Sequence, residues 1–195
     1  MITLYITSTA PYAGKSALCV GLGRRFKKDG YSIGYMRPVT TIKTCIGECL
    51  IDDEASLMRQ ALELTDPAQA IWPVCLDPPT VETVLRGEGE DYSKLIQEAF
   101  AQVSQDKDIM LLEGSSRCIQ GWLAGVSCTQ LAELLQAKVL VVVKCNVPTA
   151  TVVDDLLADK ARMGNRMLGV VLNAVERHQL DFVQEVVVPF LEKHD

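Results

Sequence analysis

Between an apolar run, Thr3–Thr7, and a helix-prone run that opens Ala17-Leu18-Cys19 stands the segment Ser8-Thr9-Ala10-Pro11-Tyr12-Ala13-Gly14-Lys15-Ser16. A glycine, an ammonium and a hydroxyl in succession suit the cradling of a polyphosphate. Backbone N–H groups of such a loop and of the first helical turn converge on one cavity, and the helix N-terminus adds partial positive charge. Gly14 lets the backbone approach without a Cβ, Lys15 is placed to reach the β- and γ-phosphates, and the Ser16 hydroxyl to ligate Mg2+. The strict spacing G-x-x-x-x-G-K-[ST] asks for glycine where Thr9 stands. The reading therefore rests on the strand, loop and helix order at the first junction of the chain.

A phosphate-bound Mg2+ takes hard oxygen ligands, commonly one or two carboxylates with water. Asp108-Ile-Met-Leu-Leu-Glu113 is an apolar strand that delivers Glu113 to its carboxyl end, where ligands of such sheets gather. A helix cap or an ion pair is the alternative reading of Glu113. Asp53, within Asp52-Asp53-Glu54, is a second candidate metal ligand, although acidic residues at a helix start also serve simply as caps. Asn173 closes Val170-Val171-Leu172-Asn173, where an amide is equipped to read an adenine edge or to make a turn. Arg37, before Pro38, fits an anion bidentately or forms a surface ion pair.

These residues need elements to hold them. Strands are expected at Thr3–Thr7, Ser32–Arg37, Ile109–Glu113, Val139–Cys145 and Leu168–Asn173, mostly continuous apolar runs as in strands covered on both faces. Helices are expected at Gly14–Lys28, Asp53–Leu64, Tyr92–Gln105, Cys128–Gln136, Thr149–Met163 and Gln179–Lys193. Ile71–Glu90, with Pro73, Pro78 and Pro79, reads as loop with a short helix at Val81–Leu85, and Arg37–Leu50 reads as loop. The alternation implies an α/β fold, a mostly parallel sheet between two helical layers. The chain of 195 residues, 48% apolar and 23% charged, has the size of a single domain, 1–195.

Composition excludes several classes. A net charge of -6, with no run of like charges that would build a basic face, argues against nucleic acid as a partner. The longest clean apolar run, Val139–Val143, falls far short of the roughly 18 to 20 residues a membrane span needs. The N-terminus carries no secretory signal pattern, and the 7 cysteines are scattered through apolar segments, so a cytoplasmic protein with reduced thiols is expected. Cys45 and Cys49 are close in sequence, but a structural zinc site wants a second close pair. His194-Asp195 follows a helix where a sheet of this type usually receives another strand, so either the last strand is absent and the end is naturally helical, or, as is expected, the chain is the N-terminal part of a longer one with a C-terminal domain absent here.

Taken together, the motifs resemble the dethiobiotin synthetase-like branch of P-loop NTPases. That branch's loop, Gly-Thr-Asp-Thr-x-x-Gly-Lys-Thr, aligns its first glycine with Ser8. Its Gly-Tyr-Lys-Pro is matched by Gly34-Tyr35-Met36-Arg37-Pro38 with one insertion, its Asp-Ala-x-x-Leu by Asp53-Glu54-Ala55-Ser56-Leu57, and its Glu-Gly-Ala-Gly by Glu113-Gly114-Ser115-Ser116. The strand Gly169–Asn173 matches its Gly-x-x-x-Asn. The loop is most similar to that of the dethiobiotin synthetase-like N-terminal domain of phosphotransacetylases, because Ala10, Arg37 and Ser115-Ser116 depart from the synthetase itself. The resemblance implies ATP and Mg2+ as cofactors and a homodimer. It implies nucleotide contacts from Ser8, Thr9, Ala13, Gly14, Lys15, Ser16, Ala17 and Asn173, and metal contacts from Ser16, Asp53 and Glu113. Lys15 and Arg37 would carry any catalysis, with a small-molecule substrate near Arg37 and Ser115. A nucleotide-sensing or regulatory module is the expected role, and slow ATP hydrolysis or an ATP-dependent cyclo-ligase acting on a diamine are its alternatives.

Overall fold

An unbroken apolar run such as Ile109-Met110-Leu111-Leu112 makes sense only in a strand whose two faces are both covered, because successive side chains point to opposite sides of the sheet. The computed structural model describes residues 1–41, 44–46, 49–51, 53–145 and 149–194, with the backbone alone at 44–46, 49–51 and 53–55. β1 (Ile2–Ser8) leads to α1 (Lys15–Lys28), then β2 (Ile33–Met36), β3 (Val39–Thr40), β4 (Thr44–Ile46) and β5 (Cys49–Ile51). α2 (Asp53–Ala61), α3 (Ala68–Ile71), β6 (Val74–Cys75), α4 (Pro78–Leu85), α5 (Tyr92–Val103) and β7 (Ile109–Glu113) follow. The chain continues through α6 (Cys128–Leu134), β8 (Lys138–Lys144), α7 (Thr149–Met163) and β9 (Met167–Asn173). Last come α8 (Leu180–Phe182) and α9 (Val188–Lys193), joined by a π-helical turn, Val183–Val187.

β2, β7, β1, β8 and β9 form, in that order, a 5-stranded parallel sheet, the α/β architecture expected. The order sets where the winding of the sheet reverses. The connection out of β1 passes to β2 on one side, and that out of β7 passes to β8 on the other. A crevice therefore opens beyond the carboxyl ends of β1 and β7, where the direction of winding reverses.

Pleat parity sorts the core into two layers. Tyr5, Met36, Met110, Leu112, Val139, Val141 and Val143 face a layer that includes Ile96 and Val103 of α5, Leu131 of α6, and Val152 and Leu156 of α7. Leu4, Ile6, Ile33, Tyr35, Ile109, Leu111 and Val142 face the other, with Cys19 of α1 and Met58 of α2. Glu113, two residues beyond Leu111, inherits the α1 side of the sheet.

The proline-rich stretch is more regular than its sequence implied. Pro78 and Pro79 open α4 rather than break it: they occupy the first turn, where no intrahelical N–H is needed, and the Asp77 carboxylate accepts from the Thr80 N–H at 3.0 Å. Within the stretches read as loop, β3 pairs with β6 in parallel and β4 with β5 antiparallel, setting Ile46 opposite Cys49. The side chains of Cys45 and Cys49 lie outside the described residues. No helix among the described residues is long and apolar enough to cross a membrane. Leu111→Ala, at a position with 0% exposure in the α1-side layer, is expected to lower the free energy of unfolding by about 2–5 kcal/mol, measured by urea denaturation.

Candidate functional site

The loop between β1 and α1 is held from below and behind. Ser8, at the end of β1, is buried, and its hydroxyl lies 2.9 Å from the Ala10 carbonyl and 3.1 Å from that of Ser116. The same oxygen accepts from Lys15 Nζ at 3.1 Å. The buried Cys118 sulfur sits 3.6 Å from the Ser8 carbonyl, and the Cys128 neighbour together with burial pushes the Cys118 thiol up. Ala13 is buried, Thr9 half-buried and Ala17 exposed on the first turn of the helix. Gly14 has φ 101, a left-handed conformation that disfavours a Cβ, and a Cβ there would also run into the Asn173 amide nitrogen. α1 begins without a side-chain cap and without an acidic residue in its first turn, and the carboxylate near its start is that of Glu113 on β7.

Across the crevice stands Glu113, 1% exposed. Its Oε1 accepts from the Ser16 hydroxyl at 2.7 Å, and its Oε2 from the Tyr35 hydroxyl at 2.8 Å. A buried carboxylate needs such partners, because leaving it bare costs several kcal/mol. The register explains the contact from β2. Tyr35 pairs with Leu111, one pleat below Glu113 on the same face, so the long phenol spans the diagonal to the carboxylate. Burial first, and the Glu113 carboxylate next, hold the Tyr35 phenol well above its ordinary range. The same two causes raise the Cys19 thiol of α1, while the charges of Lys15 and Arg37 pull it the other way. Arg37 follows β2 directly, with its backbone N–H donating to the Ile71 carbonyl at 2.7 Å.

The structure thus brings Ser8, Gly14, Lys15, Ser16, Glu113 and Asn173 to one crevice. Asn173, exposed at the end of β9, donates its amide N–H to the Ala13 carbonyl at 2.9 Å, so it braces the loop as well as edging the cleft. Asp53 opens α2, and its side chain lies outside the described residues. Ser115 follows Glu113-Gly114 and is half-buried. Tyr35 falls within the Gly34-to-Pro38 match, but the sequence assigns it no role at the site. The signal that finds it is parity: counted in steps of two, Tyr35 and Glu113 fall on one face of neighbouring strands. An apolar cavity of about 550 Å³ between α7, β9 and the C-terminal helices, lined by Leu156, Met167, Leu172, Leu180 and Leu191 among others, contains none of the expected site residues.

The donor set fits a small hard cation. Ser16 Oγ and Glu113 Oε1 are 2.7 Å apart, near the separation of about 2.9 Å between adjacent ligands of an octahedral ion with bonds of about 2.0–2.1 Å.

A family model described as an AAA domain, AAA_26, matches residues 2–194. The chain is 28% identical over 188 residues to a phosphate acetyltransferase of Nitrosomonas europaea, which covers 93% of this chain and 26% of that protein. It is 26% identical over 116 residues to an ATP-dependent dethiobiotin synthetase of Caldicellulosiruptor saccharolyticus, covering 58% of this chain and 48% of that enzyme. The chain therefore spans well under two thirds of either relative's length. Among solved structures, the chimerical protein CapA2B2 superposes with a TM-score of 0.53 at 16% identity, over 90% of this chain and 77% of that one, a likeness of fold.

Gly14→Ala is expected to cost about 1–2 kcal/mol from the left-handed backbone alone, and more from the encounter with the Asn173 amide. Adding Asn173→Ala should recover only the second part. Urea denaturation of the three variants checks this, and a Gly14→Ala chain as stable as wild type would contradict the assignment.

Proposed function

Since the chain belongs to the AAA_26 family, and within it to the dethiobiotin synthetase-like P-loop group, we propose that it binds ATP with Mg2+ and serves as a nucleotide-sensing or regulatory module of a phosphotransacetylase-type protein. The observation that carries the reading is the contact between Ser16 and Glu113 beside the uncapped start of α1, with Lys15 at hand. The relative that aligns across 93% of the chain is a phosphate acetyltransferase. Ala10, Arg37 and Ser115-Ser116 replace residues of the synthetase loops, which favours sensing over ligation.

The residues have separable tasks. Ser8, Thr9, Ala13, Gly14 and Ala17 shape the phosphate cradle around the leading N–H groups of α1. Lys15 donates to the Ser8 hydroxyl, and a phosphate oxygen would offer the same ammonium an ionised acceptor, a shorter and stronger bond than one to a neutral hydroxyl. Ser16, Glu113 and Asp53 would hold Mg2+. When bound, the metal neutralises charge on the β- and γ-phosphates. Asn173 would meet the base, and Arg37 an anionic group of a further ligand. Any hydrolysis would rest on Lys15 and on positioning, since no protein nucleophile is required.

Nucleotide binding is tested by thermal and urea unfolding with ATP or GTP, each with and without Mg2+. Nucleotide at 100 times its Kd is expected to stabilise wild type by about 2.7 kcal/mol and to leave Lys15→Ala nearly unmoved; a wild type indifferent to every nucleotide would falsify the proposal. Phosphate release measured with and without diaminopelargonate then separates the roles, because stimulation by the diamine would replace sensing with ligation. Asn173→Ala is expected to weaken ATP more than inorganic triphosphate, and equal losses would remove its role at the base.

A further inference from the structure

We propose that Tyr35 is a positioning residue that makes Glu113 a single-oxygen ligand and so selects Mg2+ over Ca2+ at the loop. The inference rests on the nucleotide reading above and concerns which cation that site accepts. Its basis is the partition of one carboxylate between two neighbours. Oε2 is occupied by the Tyr35 hydroxyl at 2.8 Å, on the β2 side, and Oε1 faces Ser16 at 2.7 Å, on the α1 side. A carboxylate chelates a cation only when both oxygens turn toward it together. Here the phenol holds Oε2 on the β2 side, and Oε1 is the oxygen that meets Ser16.

The restraint is stiff. Tyr35 is 0% exposed and Glu113 1% exposed, so water does not compete for the contact. Both lie in strands of the central sheet, in register with Leu111 and Ile6 respectively, which leaves little freedom to swing the carboxylate. The phenol O–H faces a carboxylate oxygen, which only accepts, so it is the donor there. The chemistry of the two ions converts this geometry into selectivity. Mg2+ demands an octahedron at about 2.0–2.1 Å and accepts one oxygen per carboxylate with water completing the shell. Ca2+ takes about 6–8 oxygens at about 2.3–2.6 Å and draws readily on both oxygens of one carboxylate. A purely structural Tyr35, there only to satisfy a buried carboxylate, would affect folding stability without changing the preference between ions.

The experiment follows the unfolding midpoint of wild type and Tyr35→Phe as Mg2+ or Ca2+ is titrated at fixed ATP. Tyr35→Phe keeps the ring and frees Oε2. It is expected to weaken Mg2+ by about 10–100-fold, as loss of a hydrogen bond to a ligating carboxylate does, while Ca2+ weakens less, so that the Mg2+ to Ca2+ ratio falls. An unchanged ratio, or equal weakening of both ions, overturns the proposal. A second reading needs no variant. The Mg2+-induced infrared difference spectrum of the wild-type ATP complex should show the widely split carboxylate stretches of single-oxygen ligation, and the narrow splitting of a chelating carboxylate overturns it. A wild type that ignores ATP with Mg2+ overturns the nucleotide reading, and this one with it; a responsive wild type with an unchanged ratio overturns this one alone.

Discussion

A carboxylate buried at the end of a central strand is the constraint around which the crevice is arranged. Glu113 is 1% exposed, and in that setting each of its oxygens must be answered. Two neutral hydroxyls, from Ser16 on α1 and Tyr35 on β2, answer them. The consequence reaches both elements. α1 must approach β7 closely enough for its second residue to touch the carboxylate, and β2 must pair with β7 in the register that sets Tyr35 against Leu111. A slip of one residue in that pairing would turn Tyr35 to the opposite face and leave Oε2 bare.

The loop is arranged by the same economy. Ser8 stands where the related loops carry a glycine, and its hydroxyl ties the loop to Ala10, Ser116 and Lys15 at once. Gly14 remains glycine for two reasons that act together, its left-handed φ and the Asn173 amide against it. Asn173 comes from the far strand of the sheet, so bracing the loop and edging the cleft are joined in one side chain. The N-terminus of α1, which has no side-chain cap of its own, completes the arrangement, with the positive ends of backbone dipoles gathered beside Lys15.

Much of this was legible from residues alone because it is local. The apolar runs marked all five strands of the main sheet, the Gly-Lys-Ser sequence marked the loop, and the acidic end of an apolar strand marked Glu113. Features that depend on distant partners were not legible. The pairing of Val39–Thr40 with Val74–Cys75 joins segments separated by two helices, and neither segment is long enough to announce itself as a strand. Pro78 and Pro79 read as breakers until Asp77 is seen to cap the turn they begin. Asn173 read as a base contact or a turn residue, and the bond it donates to Ala13 depends on the packing of β9 near the loop.

The sequence by itself determined the alternation of strands and helices, the phosphate loop and the identity of the acidic strand end, since these follow from side-chain type and short-range spacing. Only the tertiary structure decided which strands are neighbours, and with that which phenol meets which carboxylate. The physical reason is that hydrogen bonds between parallel strands join residues far apart in the chain. A residue such as Tyr35 acquires its role from the register across β2 and β7, a property that no window of consecutive residues contains.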